Sequence, residues 1–128
     1  MGILGLGAIG EDLAVRARAF GMRVIGTKRN PVGYAGAADA VLGPDDTLEV
    51  CRRSDVVVST LPGGPETEGI VNRDCFEALG SGWFVSVGRG SAVDEGALVD
   101  ALTGGDLRGA GLDVFEEEPL PDDSPLWD

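Results

Sequence analysis

Short apolar runs alternate along the chain with segments of helical period. The runs fall at 1–4 (MGIL), 22–27 (MRVIGT), 39–42 (DAVL), 55–61 (DVVVSTL), 83–88 (WFVSVG) and 109–115 (GAGLDVF). They are rich in valine and scarcely alternate with polar residues, which predicts strands buried on both faces, hence a parallel sheet covered by helices. Between the first two runs, Ile9, Leu13, Ala17 and Phe20 recur at helical spacing and predict the buried stripe of a helix over 8–20. Arg16 and Arg18 take the opposite side, and Gly21 ends it. A second helix is expected near 46–53 behind Asp45 and Asp46. A third is expected over Arg73–Leu79, with Asn72 as N-cap and Gly80 at its end, and a fourth runs from Asp94 through Leu98, Ala101 and Leu102 to Gly104 and Gly105. Strand and helix in alternation, with short connections, predict a three-layer α/β domain built on a doubly wound parallel sheet.

The first strand runs directly into GLGAIG, with Gly5, Gly7 and Gly10 at the mouth of the first helix. In that setting a G-x-G-x-x-G run carries a mechanism, and the fold expected is of the Rossmann type. Gly5 permits the tight turn, Gly7 lets backbone approach a pyrophosphate, and Gly10 lets helix and strand pack closely. Ala8 and Ile9 would offer free amides to the anion at the helix N-terminus. About eighteen positions beyond the last glycine, a carboxylate normally accepts hydrogen bonds from the adenosine ribose of NAD. Lys28 and Arg29 stand there instead. Two cations at that point suit a 2′-phosphate, so NADP is the expected cofactor, with NAD possible.

Composition narrows the partners. Among 128 residues, 13 Asp and 9 Glu oppose 9 Arg and a single Lys, for a net charge of -12. Phosphate-rich partners would be repelled, so neither nucleic acid nor an anionic membrane is expected. No apolar run reaches the roughly 18 residues that cross a bilayer, and the start lacks a basic signal-peptide head, so the expected location is cytoplasmic. Cys51 and Cys75 form no C-x-x-C and the chain has no histidine, so no metal site is expected and both cysteines read as reduced and structural.

Three later stretches, DVVVSTLPGGPETEGIVN (55–72), SVGRGSAVDEGALVDAL (86–102) and GAGLDVFEEEPLPDDSPLW (109–127), follow GLGAIG in order. Together they resemble the cofactor domain of D-isomer-specific 2-hydroxy-acid dehydrogenases, a family that includes phosphoglycerate dehydrogenases and glyoxylate/hydroxypyruvate reductases. The resemblance implies an oxidoreductase that moves hydride between NAD(P)H and a small 2-keto or 2-hydroxy acid, in a full-length protein that is a homodimer. It implies that Arg89 binds the substrate carboxylate and carbonyl oxygen, a task suited to a planar, permanently charged fork. It implies that Glu118 holds the acid/base histidine and keeps it protonated. The loop from Thr60 to Thr67, with Leu61, Pro62 and Thr67, would border the nicotinamide-side ribose, Val87 and Gly88 would present backbone there, and Asp113 would lie near the carboxamide. Trp83 and Trp127 match no such position and are expected to be packing residues.

The resemblance also marks what the sequence lacks. In the family the histidine follows the PLW segment, and the substrate domain comes from stretches outside this region. Residues 1–128 are therefore expected to form one NAD(P)-binding domain without its substrate domain, missing a final strand, and inactive alone. A second reading is a non-catalytic dinucleotide sensor or interaction module, against which the retention of Arg89 and Glu118 argues. A dehydrogenase using a catalytic lysine is disfavoured because Lys28, the sole lysine, falls at the adenosine end.

Overall fold

The computed structural model describes residues 1–127. Six strands, β1 (Gly2–Leu4), β2 (Ile25–Thr27), β3 (Ala40–Leu42), β4 (Val56–Ser59), β5 (Trp83–Ser86) and β6 (Gly109–Leu112), pair in parallel in the order β3-β2-β1-β4-β5-β6. This is the doubly wound arrangement expected, with the crossover between β1 and β4. The strands at the centre are the most buried: every residue of β1 and β2 is inaccessible, whereas the edge strands β3 and β6 are half-open. Apolar runs without alternation mark strands that have neighbours on both faces.

The helices are α1 (Ala8–Ala19), α2 (Thr47–Arg52), α3 (Arg73–Leu79) and α4 (Glu95–Gly104). Their ends follow local chemistry. Asn72 accepts from the Cys75 amide and Asp94 from the Ala97 amide, each satisfying one otherwise orphaned N–H of α3 and α4. Gly105 closes α4 in the left-handed conformation, at φ 78. On one side of the sheet α2, α3 and α4 pack against Leu4, Ile25, Val57 and Phe84. There Phe76 meets Phe84 edge to face, with centroids 5.3 Å apart, a pairing worth about 0.5–1.5 kcal/mol. Cys51 and Cys75 are free and buried in this layer. The neighbouring Cys75 sulfur, and then burial, push the Cys51 thiol up, so it stays protonated.

On the other side α1 packs on Ile3, Leu6 and Val24, and only half of the expected stripe takes part: Ala17 is buried and Leu13 packs against this core, but Ile9 and Phe20 turn outward. Its buried residues are Gly10, Ala14 and Ala17, while Ile9 is 61% and Phe20 88% exposed, and Leu13 is only half-buried. The reason is steric. A Cβ at Gly10 would stand 2.5 Å from the Gly5 carbonyl and 3.2 Å from Ile3, so α1 approaches the sheet through its smallest side chains and turns the large ones out. Trp83, though half exposed, is a packing residue as expected, its ring occupying the space above Gly109 of β6; Trp127 is not, being mostly exposed, with its indole donating to the Pro121 carbonyl at 2.8 Å.

Ser59 and Ser86, opposite each other at the ends of β4 and β5, are fully buried and neither hydroxyl has a partner. An unpaired buried hydroxyl costs stability. Ser59→Ala is therefore expected to raise the unfolding free energy by about 1 kcal/mol in urea titration; a loss of that size would show instead that the hydroxyl is satisfied in solution.

Candidate functional site

The carboxyl ends of the strands gather the candidate residues. After β1 the chain enters Gly5-Leu6-Gly7, and Gly5 adopts φ 96, a backbone conformation that L side chains rarely reach. Two threonines pin this turn from either side. Thr27, closing β2, accepts from the Gly5 amide at 3.1 Å, and Thr60, following β4, donates to the Gly5 carbonyl at 2.6 Å. Leu61, buried beside them, wedges between Gly5 and Gly88, where added Cβ atoms would press on it from both sides.

Gly7 is the N-cap of α1, and no side chain caps that end. The amides of the first turn, those of Ala8 and Ile9 among them, thus remain open to an anion. A Cβ at Gly7 would meet nothing within 4 Å, so nothing within the chain requires glycine there. The space it leaves belongs to a cleft of about 670 Å³ lined by Gly5, Gly7, Lys28, Arg29, Leu61, Pro62, Glu66 and Thr67. The cleft lies over the crossover between β1 and β4, where open α/β sheets take their ligands. A second hollow, of about 510 Å³, opens at the opposite ends of the strands around Met1, Arg23 and Asp55, away from the glycine turn.

Lys28 and Arg29 diverge. The Lys28 ammonium turns back into the glycine turn and donates to the Leu6 carbonyl. Arg29 stays outside, 73% exposed, and pairs with Glu66 at 2.9 Å. The loop that carries them is held from α1: the Glu11 carboxylate accepts from the Tyr34 hydroxyl at 2.8 Å and the Ala37 amide at 3.3 Å, and Tyr34 accepts from the Ala38 amide at 2.9 Å. Opposite, Thr67 braces the loop after β4 by donating to the carbonyls of Pro62 at 2.6 Å and Gly64 at 3.2 Å.

The remaining candidates stand outside the cleft, at the ends of β5 and β6. The Val87 amide donates to Ser59 and the Asp113 amide to Ser86, each at 3.0 Å, continuing the sheet by one rung. Arg89 is exposed, with one guanidinium N–H donating to the Gly88 carbonyl at 2.9 Å and its stem beside Gly63. Glu118 is also exposed and accepts from the Phe115 amide at 3.0 Å. What joins these two is Gly90: a Cβ there would overlap the Phe115 carbonyl, so the 115–118 segment lies directly on the backbone next to Arg89. Among the described residues no cluster of His, Cys, Asp or Glu could hold a metal ion, and no helix is long and apolar enough to cross a membrane.

Thr27 and Glu11 do not emerge as site residues from the sequence, and Thr60 and Glu66 do so only as part of the 60–67 loop, without a role of their own. A hydroxyl at the last or next residue of a strand that flanks β1 is a usable signal for the two threonines; the carboxylates carry none, since their partners lie 23 or more positions away in the chain.

A glycine turn closing the central strand, an uncapped helix start and cations on the adjacent strand end define a dinucleotide-binding α/β domain, and the open space at Gly7 fits a pyrophosphate. The family model described as D-isomer specific 2-hydroxyacid dehydrogenase, NAD binding domain, matches residues 1–128, and the chain belongs to that family. It is 39% identical over 127 residues to D-3-phosphoglycerate dehydrogenase of Methanocaldococcus jannaschii, covering 98% of this chain and 24% of that protein. It is 34% identical over 128 residues to glyoxylate/hydroxypyruvate reductase A of Salmonella heidelberg, covering 99% of this chain and 41% of the reductase. A D-isomer specific 2-hydroxyacid dehydrogenase of Xanthobacter autotrophicus, solved in complex with NADPH and MES, superposes with a TM-score of 0.92 at 39% identity, over 99% of this chain and 52% of that one. The chain thus spans between a quarter and about half of these relatives.

Proposed function

We propose that this domain binds NADP in preference to NAD and serves an oxidoreductase that interconverts a 2-keto acid and a D-2-hydroxy acid. The observation that carries the cofactor preference is the end of β2, where Lys28, Arg29 and Asn30 reach the cleft in the place of the carboxylate that would accept from a ribose hydroxyl, although Asp45, after the neighbouring β3, also lines it. Because Lys28 is engaged with the glycine turn, Arg29, exposed and held only by a surface ion pair with Glu66, is the group placed to take the 2′-phosphate, and a guanidinium fork does so with two parallel hydrogen bonds. The NADPH held by the Xanthobacter relative accords with this reading.

The nicotinamide, when bound, supplies the hydride. This chain contributes orientation and charge. The open N–H groups of α1 receive the pyrophosphate, Leu61, Pro62 and Thr67 border the middle of the cofactor, and Val87, Gly88 and Asp113 stand where the sheet would meet the nicotinamide half. Arg89 offers four further N–H donors to a substrate carboxylate and to the carbonyl oxygen on which negative charge develops. Glu118 keeps one carboxylate oxygen for a histidine supplied from outside residues 1–128.

Titration of the purified chain with NADPH and NADH tests the first part. NADPH is expected to bind about tenfold tighter or more, and Lys28→Asp with Arg29→Ala to reverse the order. Equal affinities before and after the substitutions would remove the assignment.

A further inference from the structure

The Arg29–Glu66 ion pair spans the cleft. Arg29 follows β2 and Glu66 belongs to the loop after β4, and these two strands flank β1 in the sheet, so the pair passes over the glycine turn itself. Two strand spacings, about 9–10 Å, separate the strands that carry the partners. Neither partner is on a slack segment. The Arg29 loop is fastened to α1 through Glu11, Tyr34 and Ala37, and the Glu66 loop is closed on itself through Thr67, with Pro65 restricting the backbone beside Glu66.

Resting on the reading that Arg29 receives a 2′-phosphate, we propose that Glu66 is a specificity-determining residue, a carboxylate that competes with that phosphate for the Arg29 guanidinium. A dinucleotide with a 2′-phosphate must draw Arg29 from Glu66 and bring its own negative charge near the carboxylate. One that lacks the phosphate leaves the pair in place. Glu66 therefore moderates the NADP preference that Arg29 creates. Both side chains are about three-quarters exposed, so the pair is weak and screened, which sets the scale of the effect and lets the phosphate win the exchange.

The test uses adenosine 2′,5′-bisphosphate and 5′-AMP, which differ only by the phosphate in question, alongside NADPH and NADH, with affinities read by calorimetry on the wild-type chain, Glu66→Gln, Arg29→Ala and the double variant. Glu66→Gln is expected to tighten adenosine 2′,5′-bisphosphate and NADPH by about two- to fivefold at low salt, to leave 5′-AMP and NADH unchanged, and to lose its effect at high salt. In the Arg29→Ala background the same substitution is expected to change the preference by less than about twofold, because the shared partner is gone. Equal tightening of all four ligands, no change in any, or the same shift with and without Arg29 would overturn the competition. Should wild-type protein bind NADPH no better than NADH, the underlying assignment of Arg29 fails first, and the competition with it; a clear wild-type preference unmoved by Glu66→Gln removes the competition alone.

Discussion

Gly7→Val is expected to weaken NADPH binding by about a hundredfold or more, and Gly10→Ala to leave its largest mark on folding. The two glycines sit three residues apart in one motif, yet their surroundings differ completely. At Gly7 the backbone, φ -92, is open to L-residues, and an added Cβ would meet no protein atom within 4 Å. Its substitution should thus keep the unfolding free energy within about 1 kcal/mol, the range of an altered N-cap. The branched side chain would fill the space at the open end of α1, where the pyrophosphate must come within hydrogen-bonding distance of backbone amides. At Gly10 the added carbon would stand 2.5 Å from the Gly5 carbonyl and 3.2 Å from both Ile3 and Thr60. Alanine gains about 1 kcal/mol in helix propensity there, but overpacking costs about 1–3 kcal/mol and would push α1 from the sheet. Urea unfolding and NADPH titration on both variants check the division. Equal effects of the two substitutions on both measurements would show that the motif acts as a single unit.

In the protein that joins this domain to its substrate domain, Arg89→Ala is expected to lower kcat/KM for the keto acid by about 10²–10³ while NADPH affinity changes less than about twofold. Arg89 stands outside the cleft that lies over β1 and β4, with its guanidinium exposed and only one N–H committed, to Gly88. In the proposed role, charge placed there would act on the substrate rather than on the adenosine end. Arg89→Lys is expected to recover little, since an ammonium cannot reproduce two parallel donors in one plane. Gly90→Ala supplies a further check, because displacement of the Phe115 backbone would carry Glu118 out of register while Arg89 itself is kept. Turnover that survives Arg89→Ala unchanged would strip the residue of its role.

The sheet was legible because buried parallel strands announce themselves as short apolar runs without alternation, of which the three valines of β4 are the clearest, and α3 and α4 because Asn72 and Asp94 are side chains with one good reason to precede a helix. The packing of α1 was not. Helical periodicity favoured Ile9, Leu13 and Phe20, but the separation of α1 from β1 is set by Gly10 lying on the Gly5 carbonyl, and at that distance only small residues fit between them. The same limit applies to the site. The glycine run and Lys28-Arg29 are local patterns and could be read directly. That the two cations part company, one to Leu6 and one to Glu66, depends on loops that meet only after the strands have taken their places.

The fastening of the 28–38 loop to α1 bears on protein engineering. Glu11, Tyr34 and the amides of Ala37 and Ala38 hold the loop by contacts in which neither Lys28 nor Arg29 takes part. Arg29 is thereby uncoupled from loop architecture and can be exchanged while the scaffold beneath it stays put, whereas replacing Lys28 also removes its contact with the glycine turn, and a graft of the whole loop must find a counterpart of Glu11 on α1.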